Sequence, residues 1–234
     1  MTDIRLFSAR ACPFAHRTRL VLAEKDVPFE LVEIDLVNKP AWFGNVSLYT
    51  KVPALEHAGH HIVESAVVNE YLEEVFPEPR LLPEAPAERA VARIWIDYAN
   101  TRLAPAFGKI LRGASETERE AGRRELAEVL RFIEHEALAK LSGDGPYWFG
   151  SKPSLVDFTF YPWFERLAAL QQHSSFVLPT GLSRVLRWQE AVQARPSARA
   201  IANSTAFYVE RYRSYAAAPQ PAPAVSVTHQ ARPS

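Results

Sequence analysis

The first third of the chain contains four short segments rich in apolar, β-branched and aromatic residues. They cover residues 4–7, 29–34, 52–56 and 61–63. Their length and composition predict β-strands. The turn residues at 58–60 lie between the last two segments, which predicts that these two strands form a hairpin.

Apolar residues with helical spacing follow the first and the last of these strands. Phe14, Thr18, Val21 and Leu22 share one face of a predicted helix, and a second helix starts at Ser65, which we expect to be its N-cap. The order of elements is therefore βαβ, a loop or short helix, and then ββα. A crossover followed by a hairpin implies a mixed sheet rather than a doubly wound parallel one.

Four prolines between residues 77 and 86 predict a linker between two domains. Beyond the linker, apolar residues keep helical spacing, which predicts an all-helical second domain. After Tyr215 the sequence consists mainly of Ala, Pro, Gln and Ser, a composition typical of disorder. We therefore expect one domain over residues 1–78, a second over 86–215, and a disordered tail over 216–234.

Composition excludes several classes of protein. The chain of 234 residues is 47% apolar and 23% charged, as soluble globular proteins are, and basic and acidic residues both total 27. This balance gives no sign of a nucleic-acid partner. No apolar run approaches the roughly 20 residues that cross a bilayer, and no signal-peptide pattern is present, so we expect no membrane association. A single cysteine rules out an intramolecular disulfide and favours a reducing, cytoplasmic location.

That single cysteine, Cys12, directly precedes Pro13. If the first helix begins at Pro13, where proline loses no hydrogen bond, Cys12 is the N-cap. The free backbone N–H groups of Phe14 and Ala15 and the positive end of the helix dipole would then favour the thiolate, which is the reactive form. The alternative is that Cys12 is a small, buried, apolar residue.

Ala15 stands where dithiol redox proteins have the second cysteine of a Cys-x-x-Cys motif. Any disulfide of Cys12 must therefore involve a thiol from another molecule. Glutathione is the abundant thiol of the cytosol, so we expect it as the co-substrate.

Several motifs occur together with Cys12, at residues 12–22, 38–43, 52–53, 64–65 and 161–167. With these motifs the chain resembles the glutathione transferases, and among them the omega class. The resemblance implies a thioredoxin-like N-terminal domain with a glutathione site and an all-helical C-terminal domain. It also implies an open, aromatic second-substrate pocket between the domains, and a homodimer. The chain departs from the animal omega proteins at His16, where they carry glutamate.

The resemblance makes Cys12 the catalytic residue. It implies that Phe14 shapes the pocket near the sulfur and that Lys39 binds the glycyl carboxylate of glutathione. A core role for Phe14 and a solvated loop position for Lys39 are the ordinary structural alternatives.

The resemblance also assigns glutathione contacts to two dipeptides. Val52 would pair through its backbone with the cysteinyl unit, next to a cis peptide bond at Pro53, although an isolated Val-Pro is more often trans. Glu64 would accept the α-ammonium group, and the free amides at Ser65 would bind the γ-glutamyl carboxylate. Each residue has a structural alternative, but their joint occurrence with Cys12 favours a glutathione site.

Aromatic residues of the second domain are the candidates for the second-substrate pocket: Trp163, Trp188, Tyr208 and Tyr212. Trp188 and Tyr212 are preferred, because pockets of the family draw on such late helices, although aromatic residues at helical spacing more often belong to the core. Ser154 and Asp157 have the spacing of a capping box, which we assign to folding.

Three histidines lie in the predicted hairpin, at positions 57, 60 and 61. No acidic or thiol ligand completes a metal site with them, so we expect no metal.

The thiol and the resemblance together predict a glutathione-dependent thioltransferase with dehydroascorbate-reductase-like activity. Its second substrate would be a small hydrophobic molecule, a mixed disulfide or a glutathionyl adduct. Two alternatives stay open. One is a conjugating or ether-cleaving transferase in which Cys12 only donates a hydrogen bond, and the other is a non-catalytic binding protein on the same fold.

Overall fold

In the computed structural model, which describes residues 3–217, a four-stranded sheet forms the centre of the N-terminal domain. The strands are β1 (Ile4–Ser8), β2 (Glu30–Glu33), β3 (Ala54–His57) and β4 (His60–Val63), and they lie in the order β2-β1-β3-β4. β1 is parallel to β2, whereas β3 is antiparallel to both of its neighbours. The predicted mixed sheet is confirmed.

Two helices and a hairpin turn complete this domain. α1 (Pro13–Glu24) follows β1, and α2 (Ser65–Val75) follows β4, while a short 3₁₀ helix covers Ala41–Asn45. The hairpin turn has positive φ at both central residues, 48° at Ala58 and 77° at Gly59. This is the twist that two-residue hairpin turns require.

The C-terminal domain contains helices only, apart from one isolated β-bridge between Tyr147 and Gly150. The helices are α3 (Pro86–Tyr98), α4 (Ala104–Arg112), α5 (Glu116–Phe132), α6 (Ala139–Leu141), α7 (Leu155–Glu165), α8 (Leu167–His173), α9 (Ser183–Gln193), α10 (Pro196–Ile201) and α11 (Thr205–Ala217). Wide π-helical turns at Ala99–Leu103 and Ile133–Leu138 join α3 to α4 and α5 to α6. The predicted thioredoxin-like domain followed by an all-helical domain is confirmed.

The linker after α2 is held in place by a buried lysine. Lys25 Nζ donates to the carbonyl oxygens of Phe76 and Pro79, at 2.7 and 2.8 Å, and pairs with Glu73 at 2.7 Å. Glu73 in turn accepts from the backbone N–H groups of Leu81 and Leu82. These bonds satisfy polar groups that a proline-rich segment cannot pair within itself.

α1 lies between the two domains, so its polar residues are buried. It contacts α2 on one side and α7 and α10 on the other. Arg17 Nε donates to the carbonyl oxygen of Thr159 in α7 at 2.9 Å, and Arg195 pairs with Glu24 at the end of α1. One hydrophobic core extends across both domains from Ile4 in β1 to Tyr212 in α11. The first residues of α1 are therefore fixed by both domains.

The predicted tail begins inside α11, which ends at Ala217. The remainder of that tail lies outside the described residues, and the predicted domain boundaries stay predictions. Within residues 3–217, none of the helices has both the length and the apolar content of a membrane span.

Candidate functional site

Cys12 is the N-cap of α1, as its position before Pro13 predicts. Its backbone is extended, with φ −79° and ψ 120°, and its carbonyl oxygen accepts from the backbone N–H of His16 at 3.0 Å. The side chain is half-buried and does not cap the helix. Instead Sγ lies 3.8 Å from the carbonyl oxygen of Val52.

Two buried arginines of α1, Arg17 and Arg19, interact electrostatically with Cys12. Burial lowers the pKa of Arg17 to about 9, and a negative charge on Cys12 opposes that shift. Burial also lowers the pKa of Arg19, and the charge of Cys12 again opposes the shift. Arg17 therefore keeps its charge at neutral pH.

Arg10 and His16 are also basic residues near Cys12 in the sequence, but they do not add charge at the sulfur. Arg10 is exposed and its guanidinium lies over the ring of Phe207, 4.4 Å from the centroid. His16 is fully buried, and burial, followed by the charges of Arg166 and Arg19, holds its pKa well below the usual 6.5. His16 is therefore neutral at pH 7.

A cleft of about 140 Å³ lies beside the edge of the sheet. Five of the residues that the resemblance assigns to glutathione line it: Phe14, Val52, Pro53, Glu64 and Ser65. The Val52–Pro53 peptide bond is cis, as the resemblance implies. Ser47, Tyr49, Lys51 and Val63 complete the lining.

Ser65 is not the N-cap of α2, which corrects the sequence prediction. The helix begins at Ser65 itself, and Glu64 is the N-cap, because its carbonyl oxygen accepts the backbone N–H of Val68 at 2.9 Å. The Ser65 hydroxyl accepts from Arg17 Nη1 at 3.2 Å instead of capping the helix. Glu64 has φ 66°, a left-handed conformation that is uncommon outside glycine and clusters at functional sites.

Lys39 does not line the cleft. Its Nζ donates to the carbonyl oxygen of Thr50 at 2.9 Å, and the side chain is exposed. Lys51, which sequence reasoning missed, lines the cleft in its place. The sequence contained one indication of this role, because Lys51 directly precedes the Val52-Pro53 motif.

A second cavity, of about 400 Å³, lies on the other side of Cys12 and between the two domains. Cys12, Phe14, Trp163 and Tyr212 line it. Phe14 also lines the cleft, so its ring separates the two spaces, and it meets Trp163 edge to face with the centroids 5.1 Å apart. Asn100, Phe107 and Arg112 are lining residues that the sequence analysis did not single out.

Two of the predicted pocket residues belong to the core instead. Trp188 is 1% exposed, does not line this cavity, and donates its indole N–H to Asp157 at 2.7 Å. Tyr208 is also buried, and its hydroxyl bonds to Glu165. Both side chains are held by carboxylates inside the helical domain, so neither reaches the cavity.

Asp157 organises the start of α7, as the capping-box spacing predicts. It accepts from the backbone N–H and hydroxyl of Ser154, both at 2.7 Å, and from the backbone N–H of Trp148 at 3.1 Å. Burial raises the pKa of Asp157 to about 6, against the effect of these donors. The residue is structural and lies away from the cavity at Cys12.

Nothing in residues 3–217 resembles a metal site, since no three His, Cys, Asp or Glu side chains cluster there. His57 Nδ1 bonds to the Tyr71 hydroxyl at 2.7 Å, while His60 and His61 are exposed on β4.

The fold and the site define a two-domain protein with a thioredoxin-like first domain and a cysteine that lines a cavity and lies next to a cleft. The family model described as "Glutathione S-transferase, N-terminal domain" matches residues 11–75, and "Glutathione S-transferase, C-terminal domain" matches residues 116–191. Glutathione S-transferase omega-1 of Sus scrofa is 34% identical over 199 residues, which are 85% of this chain and 80% of that protein.

Solved structures of glutathione transferases resemble this chain over most of its length. Glutathione transferase Omega 3C of Trametes versicolor has a TM-score of 0.78 and 26% identity, with 93% of each chain covered. Rice GST1 in complex with glutathione has a TM-score of 0.81 and 28% identity, and the match covers 93% of this chain and 99% of that one. The chain belongs to the glutathione S-transferase family, with omega-class proteins among its relatives, and glutathione is its co-substrate.

Proposed function

We propose that this protein is a glutathione-dependent thioltransferase in which Cys12 attacks glutathionyl sulfur. The observation that carries the proposal is the place of Cys12 between two spaces. The residue lines the aromatic cavity, and its sulfur lies 3.8 Å from the oxygen of Val52, which lines the cleft. A glutathionyl unit in the cleft and a second group in the cavity would therefore meet at Cys12.

The reaction has two displacement steps. The Cys12 thiolate forms a bond to the glutathionyl sulfur of a mixed disulfide, the original S–S bond breaks, and the other thiol leaves with the electron pair and takes a proton from water. A second glutathione thiolate then attacks the Cys12 mixed disulfide and releases oxidised glutathione. The second thiol must come from outside, because Cys12 is the only cysteine.

The same chemistry would extend to dehydroascorbate, whose reduction to ascorbate consumes two glutathione thiols and yields oxidised glutathione. Arg17 would support either reaction, since its buried charge interacts favourably with a negative charge at Cys12. Phe14 would fix the boundary between the glutathionyl unit and the second substrate.

The test compares wild type, Cys12→Ser and Cys12→Ala with a glutathione mixed disulfide as substrate. We expect both variants to lose turnover by at least about a hundredfold, because neither side chain is a nucleophile toward sulfur. Full turnover in Cys12→Ser would overturn the proposal. Conjugation of an aryl halide retained or raised in Cys12→Ser, but lost in Cys12→Ala, would favour the conjugating transferase, in which residue 12 only donates a hydrogen bond. Failure to bind glutathione resin would favour the non-catalytic binding protein.

We further propose that the protein acts as a homodimer in a reducing cytoplasm. The location is supported by the free thiol of Cys12. The dimer is supported by exposed apolar side chains on adjacent helices, Val67 on α2 and Ile94 on α3, which flank the ion pair of Glu70 with Arg93. Analytical ultracentrifugation of wild type and Ile94→Glu tests the dimer, and a monomeric wild type would contradict it.

A further inference from the structure

The polar groups around the cavity at Cys12 are nearly all hydrogen-bond donors. Arg112 at the end of α4, Arg166 after α7 and Asn100 before α4 line it. Among the described lining residues there is no Asp or Glu, and most of the others are apolar. A space of this kind suits a molecule with an apolar body and a negative charge.

Arg112 is the lining cation that is available to a ligand. Its side chain is exposed and folds back over Gly108, where an added Cβ would lie 3.0 Å from Nη2. Within residues 3–217, no carboxylate forms an ion pair with it. The guanidinium thus borders the cavity, and the residues that the structure describes leave its donors unused.

Asn100 presents a donor to the same space. Its Oδ1 accepts from Arg17 Nη1 at 2.6 Å. Because a guanidinium has donors only, this bond fixes the orientation of the amide, and the Nδ2 group is left for a ligand.

Arg166 contributes charge rather than a direct contact. It is 2% exposed and donates to the carbonyl oxygens of Pro162 and Ala11 and to Nδ1 of His16. It forms no ion pair within the described residues, although its charge interacts with that of Glu165, which bonds to Tyr208. A buried positive charge with no directly bound carboxylate raises the potential of the cavity it lines.

We infer that this cavity selects anionic aryl compounds, with a carboxylate on Arg112 and Asn100 and the ring against Phe107 and Tyr212. The inference rests on the proposed function, because it identifies the cavity as the place of the group that leaves. When the substrate is a disulfide of glutathione with 4-mercaptobenzoate, Cys12 attacks the glutathionyl sulfur. The S–S bond breaks, and the arene thiolate departs with the electron pair while its carboxylate stays on Arg112.

The experiment compares that disulfide with the disulfide of glutathione and 4-mercaptobenzamide, which has the same shape without the charge. The proteins are wild type, Arg112→Gln, Arg112→Lys and, as the matched control, Arg102→Gln. Arg102 is also exposed, lies in the π-helical turn directly before α4, and does not line the cavity.

The quantity to measure is the kcat/KM of the carboxylate divided by that of the amide. We expect Arg112→Gln to lower this ratio about tenfold, through loss of a charge-assisted hydrogen bond, and Arg112→Lys to recover most of it. Arg102→Gln should keep the ratio of wild type. An unaltered ratio in Arg112→Gln, or an equal fall in Arg102→Gln, would overturn the inference.

A binding measurement separates this inference from the proposed function. If wild type turns over neither disulfide, the proposed function fails, but benzoate and benzamide can still be titrated into Cys12→Ser by calorimetry. Tighter binding of benzoate that is lost when Arg112→Gln is added supports the anionic selectivity. Equal binding of the two compounds refutes it.

Discussion

The sulfur of Cys12 lies 3.8 Å from the carbonyl oxygen of Val52, so the only thiol of the chain faces the residue that borders the cleft. The two residues come from different loops, one after β1 and one before β3, and the antiparallel pairing of these strands brings them together. The contact therefore depends on the sheet, and α1 fixes the cysteine by its first turn.

His16 makes the folded state sensitive to acid. Its pKa lies well below 6.5 in the folded protein because of burial, whereas an unfolded chain binds a proton near 6.5. The unfolded state then holds more protons below pH 6.5, so the stability associated with neutral His16 is complete above that pH and is lost as pH falls. The difference in free energy of unfolding between wild type and His16→Gln should decrease by up to about 1.4 kcal/mol per pH unit between pH 6.5 and 5.

Urea unfolding at several pH values measures this difference, and His135→Gln, an exposed histidine, is the matched control. Glu165 lies 3.8 Å from His16, and burial raises its pKa, so its own contribution to stability changes with pH in the opposite direction. A difference that stays constant from pH 7 to 5 would show that His16 binds a proton as readily in the folded state as in the unfolded state.

Substitutions of Trp188 and Tyr212 should affect different properties. We expect the first to lower the stability of the fold and the second to weaken binding of the second substrate. Trp188→Phe removes the donor to the buried Asp157, which costs about 1–3 kcal/mol, and leaves the cavity intact. Tyr212→Ala removes a ring from the cavity wall and should raise the KM for the second substrate several-fold. Urea midpoints and steady-state kinetics of both variants check this. A raised KM in Trp188→Phe, or an unaltered KM in Tyr212→Ala, contradicts the assignment.

We expect Lys51, rather than Lys39, to bind the glycyl carboxylate of glutathione. Lys51 lines the cleft, whereas Lys39 is bonded to Thr50 outside it. We expect Lys51→Gln to raise the KM for glutathione about three- to tenfold, as loss of one charge-assisted bond does, and Lys39→Gln to change it by less than about twofold. If the larger effect falls on Lys39→Gln, the role implied by the resemblance is right and the cleft changes when glutathione binds.

The features that the sequence predicts well are local. The proline after Cys12 fixes the first turn of α1, and length and composition identify four strands, the last two of which form the predicted hairpin. Five of the six residues that the resemblance assigns to glutathione binding also converge in one cleft, and Lys39 is the exception. A helix start was misplaced by one residue because Glu64 has an unusual φ, which composition does not reveal.

The features that the sequence does not predict depend on packing between the domains. Trp188 and Tyr212 are both aromatic residues at helical spacing, but packing against Trp148 and Phe164 and a hydrogen bond to Asp157 hold Trp188 in the core. His16 has the same sequence neighbours whether charged or neutral, but the covering α7 and the nearby Arg166 exclude a proton. Arg112 carries no motif, and its place at the cavity follows from the length of α4.

The central proposal is that Cys12 is the nucleophile that reacts with glutathionyl sulfur, and its rate of glutathionylation tests that proposal most directly. Protein and a cysteine-containing peptide are mixed with oxidised glutathione near pH 6, where free cysteine is less than about 1% thiolate, and the adducts are followed by intact mass. The account predicts that Cys12 gains one glutathionyl group at least about tenfold faster than the peptide and loses it again on addition of glutathione. A rate equal to that of the peptide would contradict it.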